Sequence, residues 1–285
     1  MTRVLITGAT GSLGRRVLAR AAAAGLQPVG ASFRSGPADV RMDIRDPGEV
    51  RRVLGEVRPE VIIHTAAGRD RGDWPATADG AAHVAVAAAD LGVRLVHVSS
   101  DAIFSGRAVD YDEQALPDPV YAYGAAKAAA ETAVRAVLPS AAVVRTSLIL
   151  GDGNGAHEIL THDLIAGRVR GALFTDEIRK PVHVDDLADA LLELAAGDYR
   201  GVLNVAGTDA ISRYDLGVLV ARRDGLDPAA IPAASLAALG LSRPADLRLS
   251  TERAEQVLTV RLRGARTFLK PVLSSAGAVD TGPRD

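Results

Sequence analysis

The 285-residue sequence contains no cysteine. That absence removes disulfides, thiolate metal ligands and thiol nucleophiles together, and it fits a reducing compartment. The chemistry of the chain must therefore use oxygen and nitrogen. Lysine is scarce, at three residues, and aromatic side chains make up only 4% of the chain, so any that fall near a site narrow its chemistry quickly. An excess of charge of one sign is lacking too: 33 Lys and Arg face 35 Asp and Glu, a formal charge of −2. Such a balance gives no electrostatic footprint for nucleic acid or an anionic membrane, leaving a small molecule as the expected partner. No run approaches the roughly 20 apolar residues of a membrane span, because Arg, Asp or Gly interrupts even the alanine-rich stretches. Strand-like sequence starts at Arg3 with no basic and apolar leader ahead of it, so a cytoplasmic protein is expected.

What the chain does have is an alternation of short apolar runs with amphipathic stretches. "RVLI", "PVGASF", "EVIIHT", "RLVHVSS" and "AAVVRTSLIL" are continuous rather than alternating, as strands buried on both faces require. Helical patterns separate them. The expected fold is α/β, a Rossmann-type doubly wound parallel sheet with a smaller C-terminal substrate-binding lobe. Residues 1–150 form the NAD(P)-binding domain in this reading, and 151–268 form mostly the lobe, with some segments returning to the sheet. The small, polar residues 269–285 read as a disordered tail.

"LITGATGSLG" places Gly8, Gly11 and Gly14 where the first strand turns into the first helix. Backbone N–H groups there, with the helix N-terminus, suit a pyrophosphate. The second strand is expected to end near Phe33, the place from which an NAD-selective site presents a carboxylate to the adenosine ribose. Arg34 follows instead, and a guanidinium matches a 2′-phosphate, which favours NADPH over NADH.

Asp118 as N-cap, Pro119 at N1 and Pro139 as a stop predict a helix over 119–138. At about 100° per residue, Val120, Tyr123, Lys127, Val134 and Leu138 share one apolar direction. A lysine on that stripe needs a reason to be desolvated. Tyr121 is expected roughly 160° away from Tyr123, which leaves Tyr123 to meet Lys127 at i, i+4.

The chain resembles the extended short-chain dehydrogenases/reductases, in their dTDP-4-dehydrorhamnose reductase-like branch. The resemblance rests on "TGATGSLG", "DIRD", "HTAA", "VSSDAIFSG", "YGAAKAAAE", "RTSLILG" and "KPVHVDDLADAL", in the family's order. It implies a nicotinamide cofactor held by Gly8, Thr10, Gly11, Ser12, Leu13, Gly14, Arg34, Asp43, Ile44, Ala66 and Ala67, with Tyr123 and Lys127 at its nicotinamide end. It further implies Ser100, Tyr123 and Lys127 as the catalytic set, and Ser100, Asp101, Ala102, Thr146 and Ser147 as substrate contacts. The implied reaction is NADPH-dependent reduction of a ketone, a nucleotide-linked 4-keto sugar or a similar polar one. Tyr123 would deliver the proton, Lys127 would tune it and Ser100 would polarise the carbonyl.

The family's "TDYVFDG" is here "SDAIFSG", so Ala102 and Ser105 replace a tyrosine and an aspartate and the substrate assignment loosens. The Asp-Glu pair of the related dehydratases is absent, since Ala102 follows Asp101. Two other readings stay open: an NAD-dependent sugar-nucleotide epimerase, and a non-catalytic NADP-binding regulatory subunit like that of methionine adenosyltransferase. The resemblance also leaves room for a homodimer. His157 and His162 lie five apart and do not share a helix face, so no metal is expected. His183 with Asp185 and Asp186 reads as a capped helix start, and Lys180 and Trp74 are read as structural or as lobe contacts.

Overall fold

A computed structural model describes residues 1–33, 38–68, 70, 72–241 and 243–270. Seven strands form one parallel sheet: β1 (Arg3–Thr7), β2 (Gln27–Ser32), β3 (Val40–Arg41), β4 (Val61–His64), β5 (Arg94–Val98), β6 (Ala142–Arg145) and β7 (Gly201–Asn204). Their order across the sheet is β7-β6-β5-β4-β1-β2-β3, and every pairing is parallel. The chain reverses its direction of travel between β1 and β4. In such sheets the crevice at the carboxyl ends beside that reversal is where ligands bind.

The continuous apolar runs serve two cores at once. Val4 and Ile6 of β1 pack with helices α1 (Ser12–Ala23) and α6 (Val184–Ala196), while Leu5 between them packs with α2 (Pro47–Val57) and α3 (Gly80–Leu91). Asp46 starts α2 by accepting from Gly48 N and Glu49 N, with Pro47 preset for the first turn. Alanines 81, 85 and 88 of α3 are fully buried, and their size lets that helix lie close on the sheet.

Helix α4 runs from Ala122 to Val137, three residues later than Asp118 and Pro119 predict. Asp118 does not cap it. Its carboxylate accepts from Ser105 N at 2.8 Å and from the Ser105 hydroxyl, while its own N–H donates to Ile103 O. That tie outcompetes a helical start, so Tyr121 is the N-cap residue in extended conformation (φ −149°, ψ 160°) and Val120 is exposed rather than on the apolar stripe. From α4 the wholly buried Glu131 holds Arg145 of β6 through contacts of 2.9 to 3.2 Å, and Arg145 also donates to the carbonyl of Ala115. Both charges are out of water, so each depends on the other.

Residues 151–268 divide. Helix α6 and strand β7 return to the sheet layer, packed on α1 and paired with β6. Helices α5 (Ala156–Ile165) and α7 (Arg213–Arg223) cover short strand pairs such as Ile178–Arg179 with Ile211–Ser212, over separate small cores. Leu269, assigned above to a disordered tail, is 1% exposed in one of those cores beside Ile211 and Leu216. Of the expected tail, 271–285 lies outside the described residues. Among the described residues no helix is long and apolar enough to cross a membrane.

Candidate active site

The glycine loop gives the site its floor. Gly8 has φ +69°, and a Cβ on it would lie 2.8 Å from the Cα of Ala66. A Cβ on Gly14 would lie 2.2 Å from Gly8 O. Only hydrogen fits at either place. Gly11, the N-cap of α1, has no side chain to satisfy the first N–H groups of the helix, so no cap claims them. This is the cradle that a pyrophosphate requires, and the residues present fit a dinucleotide.

Across the crevice stands α4. Lys127 is 4% exposed and donates from Nζ to the Val98 carbonyl at 2.6 Å. Burial lowers its pKa from the ordinary lysine value to about 8, against the opposing pull of Glu131. Tyr123, one turn earlier on the same helix, is half-buried and lines a cleft of about 490 Å³. Ser12, Leu13, Ser100, Asp101, Ala102 and Ser147 line that same cleft. Ser100 Oγ accepts from Ala102 N at 3.2 Å and faces Asp101 Oδ1 at 3.3 Å; Ser147 Oγ donates to Asp101 Oδ2 at 2.6 Å. Ser99, one residue before, points into the core, as alternation along a strand demands.

Behind Lys127 the sheet carries a buried polar layer. His64 and His97, paired in register on β4 and β5, stack with ring centroids 5.3 Å apart, and Thr7 Oγ1 meets His64 Nδ1 at 2.7 Å. Burial first, then the Lys127 charge, pushes His64 down to about 3 and His97 well below its ordinary value. Both shifts favour the neutral ring, which leaves the lysine as the charge set against this pair.

Other expected residues take different places. Arg34 lies outside the described residues. The Arg41 and Arg45 guanidiniums sit 5.8 and 4.5 Å from the Phe33 ring centroid. Asp43 is held by Arg45 through three contacts of 2.7 to 3.2 Å, which lowers its pKa. The Ile44 side chain is buried in the core over Gly80. Ala66 abuts Gly8, Ala67 is exposed, and the Thr10 carbonyl accepts from Arg15. Thr146 is buried at 3% exposure, its carbonyl accepting from Asp101 N. Lys180 donates to Leu249 O, a structural tie, and His183 caps α6 by accepting from Asp185 N. His162 pairs with Asp224, and no metal-binding cluster is found among the described residues.

Sequence reasoning passed over the cleft's second wall. Tyr121 lines the cavity beside Tyr123, because it precedes the helix instead of facing away on it. Glu177, Arg179, Arg213, Arg243 and Pro244 line the lobe side. Arg179 is buried and reaches Glu177 at 3.1 Å and Asp101 at 3.9 Å. Its neighbour Lys180, which follows the strand, is turned to Leu249 O instead.

The RmlD substrate binding domain family model matches residues 1–277. The dTDP-4-dehydrorhamnose reductase of Mycobacterium tuberculosis is 34% identical over 243 residues, covering 79% of this chain and 77% of that one. Methionine adenosyltransferase 2 subunit beta of Bos taurus is 29% identical over 273 residues, covering 89% and 81%. Among solved structures, dTDP-4-dehydrorhamnose reductase from Bacillus anthracis in complex with NADP superposes with a TM-score of 0.82 at 25% identity, covering 94% of this chain and 97% of that one.

Two outcomes follow from this geometry. Gly14→Ala forces the loop apart and weakens NADPH binding about 5- to 150-fold by titration calorimetry, since overpacking of this kind costs about 1–3 kcal/mol. Lys127→Met stabilises the cofactor-free protein at pH 7 by up to about 3 kcal/mol in urea unfolding. The lysine's folded pKa lies below its unfolded one, so its penalty is full below about pH 8 and is relieved as pH rises from there towards the unfolded value. The stabilisation by Met shrinks over the same window.

Proposed function

Because the chain belongs to the RmlD substrate binding domain family, we propose that it is an NADPH-dependent reductase of a nucleotide-linked 4-keto sugar or a comparable polar ketone. One observation carries this reading. Tyr123 and Ser100 line a single cleft, and Lys127, a turn along α4 from Tyr123, is desolvated behind it. The loop from Gly8 to Gly14, with Thr10, Ser12 and Leu13, would hold the pyrophosphate. Arg34, aided by Arg41, would hold the 2′-phosphate, and Lys127 the nicotinamide ribose. A bound reduced nicotinamide supplies a hydride to the carbonyl carbon.

The remaining work falls to side chains of this chain. Ser100 donates a hydrogen bond to the carbonyl oxygen and draws electron density from the carbon. Tyr123 gives its phenolic proton to the same oxygen as the alcohol forms. A free phenol titrates near about 10, too weak an acid for rapid transfer at neutral pH, and a neighbouring ammonium lowers that barrier. Desolvation enlarges the effect, because water screens a buried charge poorly. On the lobe side, the Arg179, Arg213 and Arg243 guanidiniums suit an anionic substrate such as a sugar nucleotide. Ala102 removes a side chain that relatives of this branch carry as tyrosine, and this enlarges the cleft near the sugar.

The test is NADPH oxidation over a panel of nucleotide 4-keto sugars and simpler ketones. Turnover is expected with at least one nucleotide keto sugar, and Tyr123→Phe and Lys127→Ala are each expected to lose about 10²–10⁴-fold in kcat while remaining folded. Near-wild-type rates in either variant contradict the mechanism. A silent panel from protein that binds NADPH turns the reading to a regulatory subunit.

A further inference from the structure

Asp101 is 7% exposed and sits in the cleft wall between two hydroxyls from adjacent strand ends. Its backbone N–H is fixed to Thr146 O at 2.8 Å, so the carboxyl has little freedom. The two hydroxyls are held unequally. Ser147 Oγ donates at 2.6 Å, a short bond, whereas Ser100 Oγ stands at 3.3 Å, longer than the ordinary O–H···O distance of about 2.7–2.8 Å. Ser147 anchors the carboxyl, and Ser100 is the hydroxyl that can turn away. Ser100 has one proton. Its oxygen already accepts from Ala102 N at 3.2 Å, so that proton goes either back to Asp101 or forward to a substrate oxygen.

We infer that Asp101 is a positioning residue for Ser100: ionised, it holds the Ser100 proton away from the substrate oxygen; protonated, it donates to Ser100 Oγ and turns that proton forward into the cleft. The first state presents an acceptor, as an alcohol substrate needs, and the second presents a donor, as a ketone needs. No atom is lost or gained beyond the one carboxyl proton. The inference rests on the reductase reading and adds to it a control on reaction direction.

The surroundings pull the carboxyl in both directions. Burial favours the protonated acid, and Arg179 at 3.9 Å, the Ser147 and Ser100 hydroxyls and the more distant Arg213 favour the ionised form, with a net rise in pKa. Glu177 faces the same group of charges and is paired with Arg179 at 3.1 Å, which moderates the arginine's pull.

The experiment is the pH profile of kcat for ketone reduction in the wild type, Asp101→Asn, Ser147→Ala and Ser100→Ala. In the wild type, kcat is expected to fall as pH rises through the Asp101 ionisation, at a pH below the fall caused by Tyr123. Asp101→Asn cannot ionise and can donate from its amide, so the lower step is lost from the profile of whatever kcat remains. Ser147→Ala removes a hydrogen bond to the charged form, so the lower step moves up by about one pH unit. Should Asp101→Asn fail to fold or bind NADPH, the Ser147→Ala shift decides. Unchanged profiles in the variants that fold overturn the inference, as does an Asp101→Asn that binds NADPH yet is inactive at every pH. If the wild type turns over and Ser100→Ala does not, such a failure touches Asp101 alone. A wild type silent on every ketone sinks the reductase reading and the inference together.

Discussion

The structure is organised around one unfavourable act, the removal of the Lys127 ammonium from water. A lone buried ammonium is costly, and the molecule offsets that cost only in part: the Val98 carbonyl accepts from it at 2.6 Å, and Glu131 lies one helical turn along. Glu131 is not free to neutralise the lysine, because Arg145 holds it from both nitrogen faces. The lysine therefore keeps much of its field for the tyrosine one turn before it. The neutral His64 and His97 behind it add no competing charge.

The same constraint explains features that look merely structural. Helix α4 must approach the sheet closely enough for a lysine to reach a strand carbonyl, which requires Gly124, where a Cβ would lie 2.1 Å from Ala102 O, and the buried Ala126 and Ala130. The residue at 102 is thus pinned by its backbone to the start of the helix that bears Tyr123. Through Asp101, the same turn reaches Arg179 of the lobe, so the strand-end wall and the lobe wall of the cleft share one charged contact.

Much of this was legible in the sequence. The strands announced themselves because each must be apolar on both faces, and the three glycines because backbone packs where a side chain would go. Lys127 stood out because a lysine on an apolar stripe contradicts its own hydration. The misses have a common cause, which is contact between residues distant in sequence. The Ser105–Asp118 tie delayed the helix and brought Tyr121 into the cleft, and no local propensity encodes it. Arg179 and Arg243 became wall residues only when the lobe folded over, and Leu269 is buried by a core that includes the distant Leu150, Ile211, Leu216 and Val220.

The most direct measurement is a titration of the lysine side chains by heteronuclear NMR, which three lysines make tractable. The account predicts a resonance, absent from the Lys127→Met spectrum, that titrates near 8. A Lys127 resonance titrating at the ordinary value of about 10.4 would contradict it, because the ammonium would then be solvated and could not exert the field assigned to it.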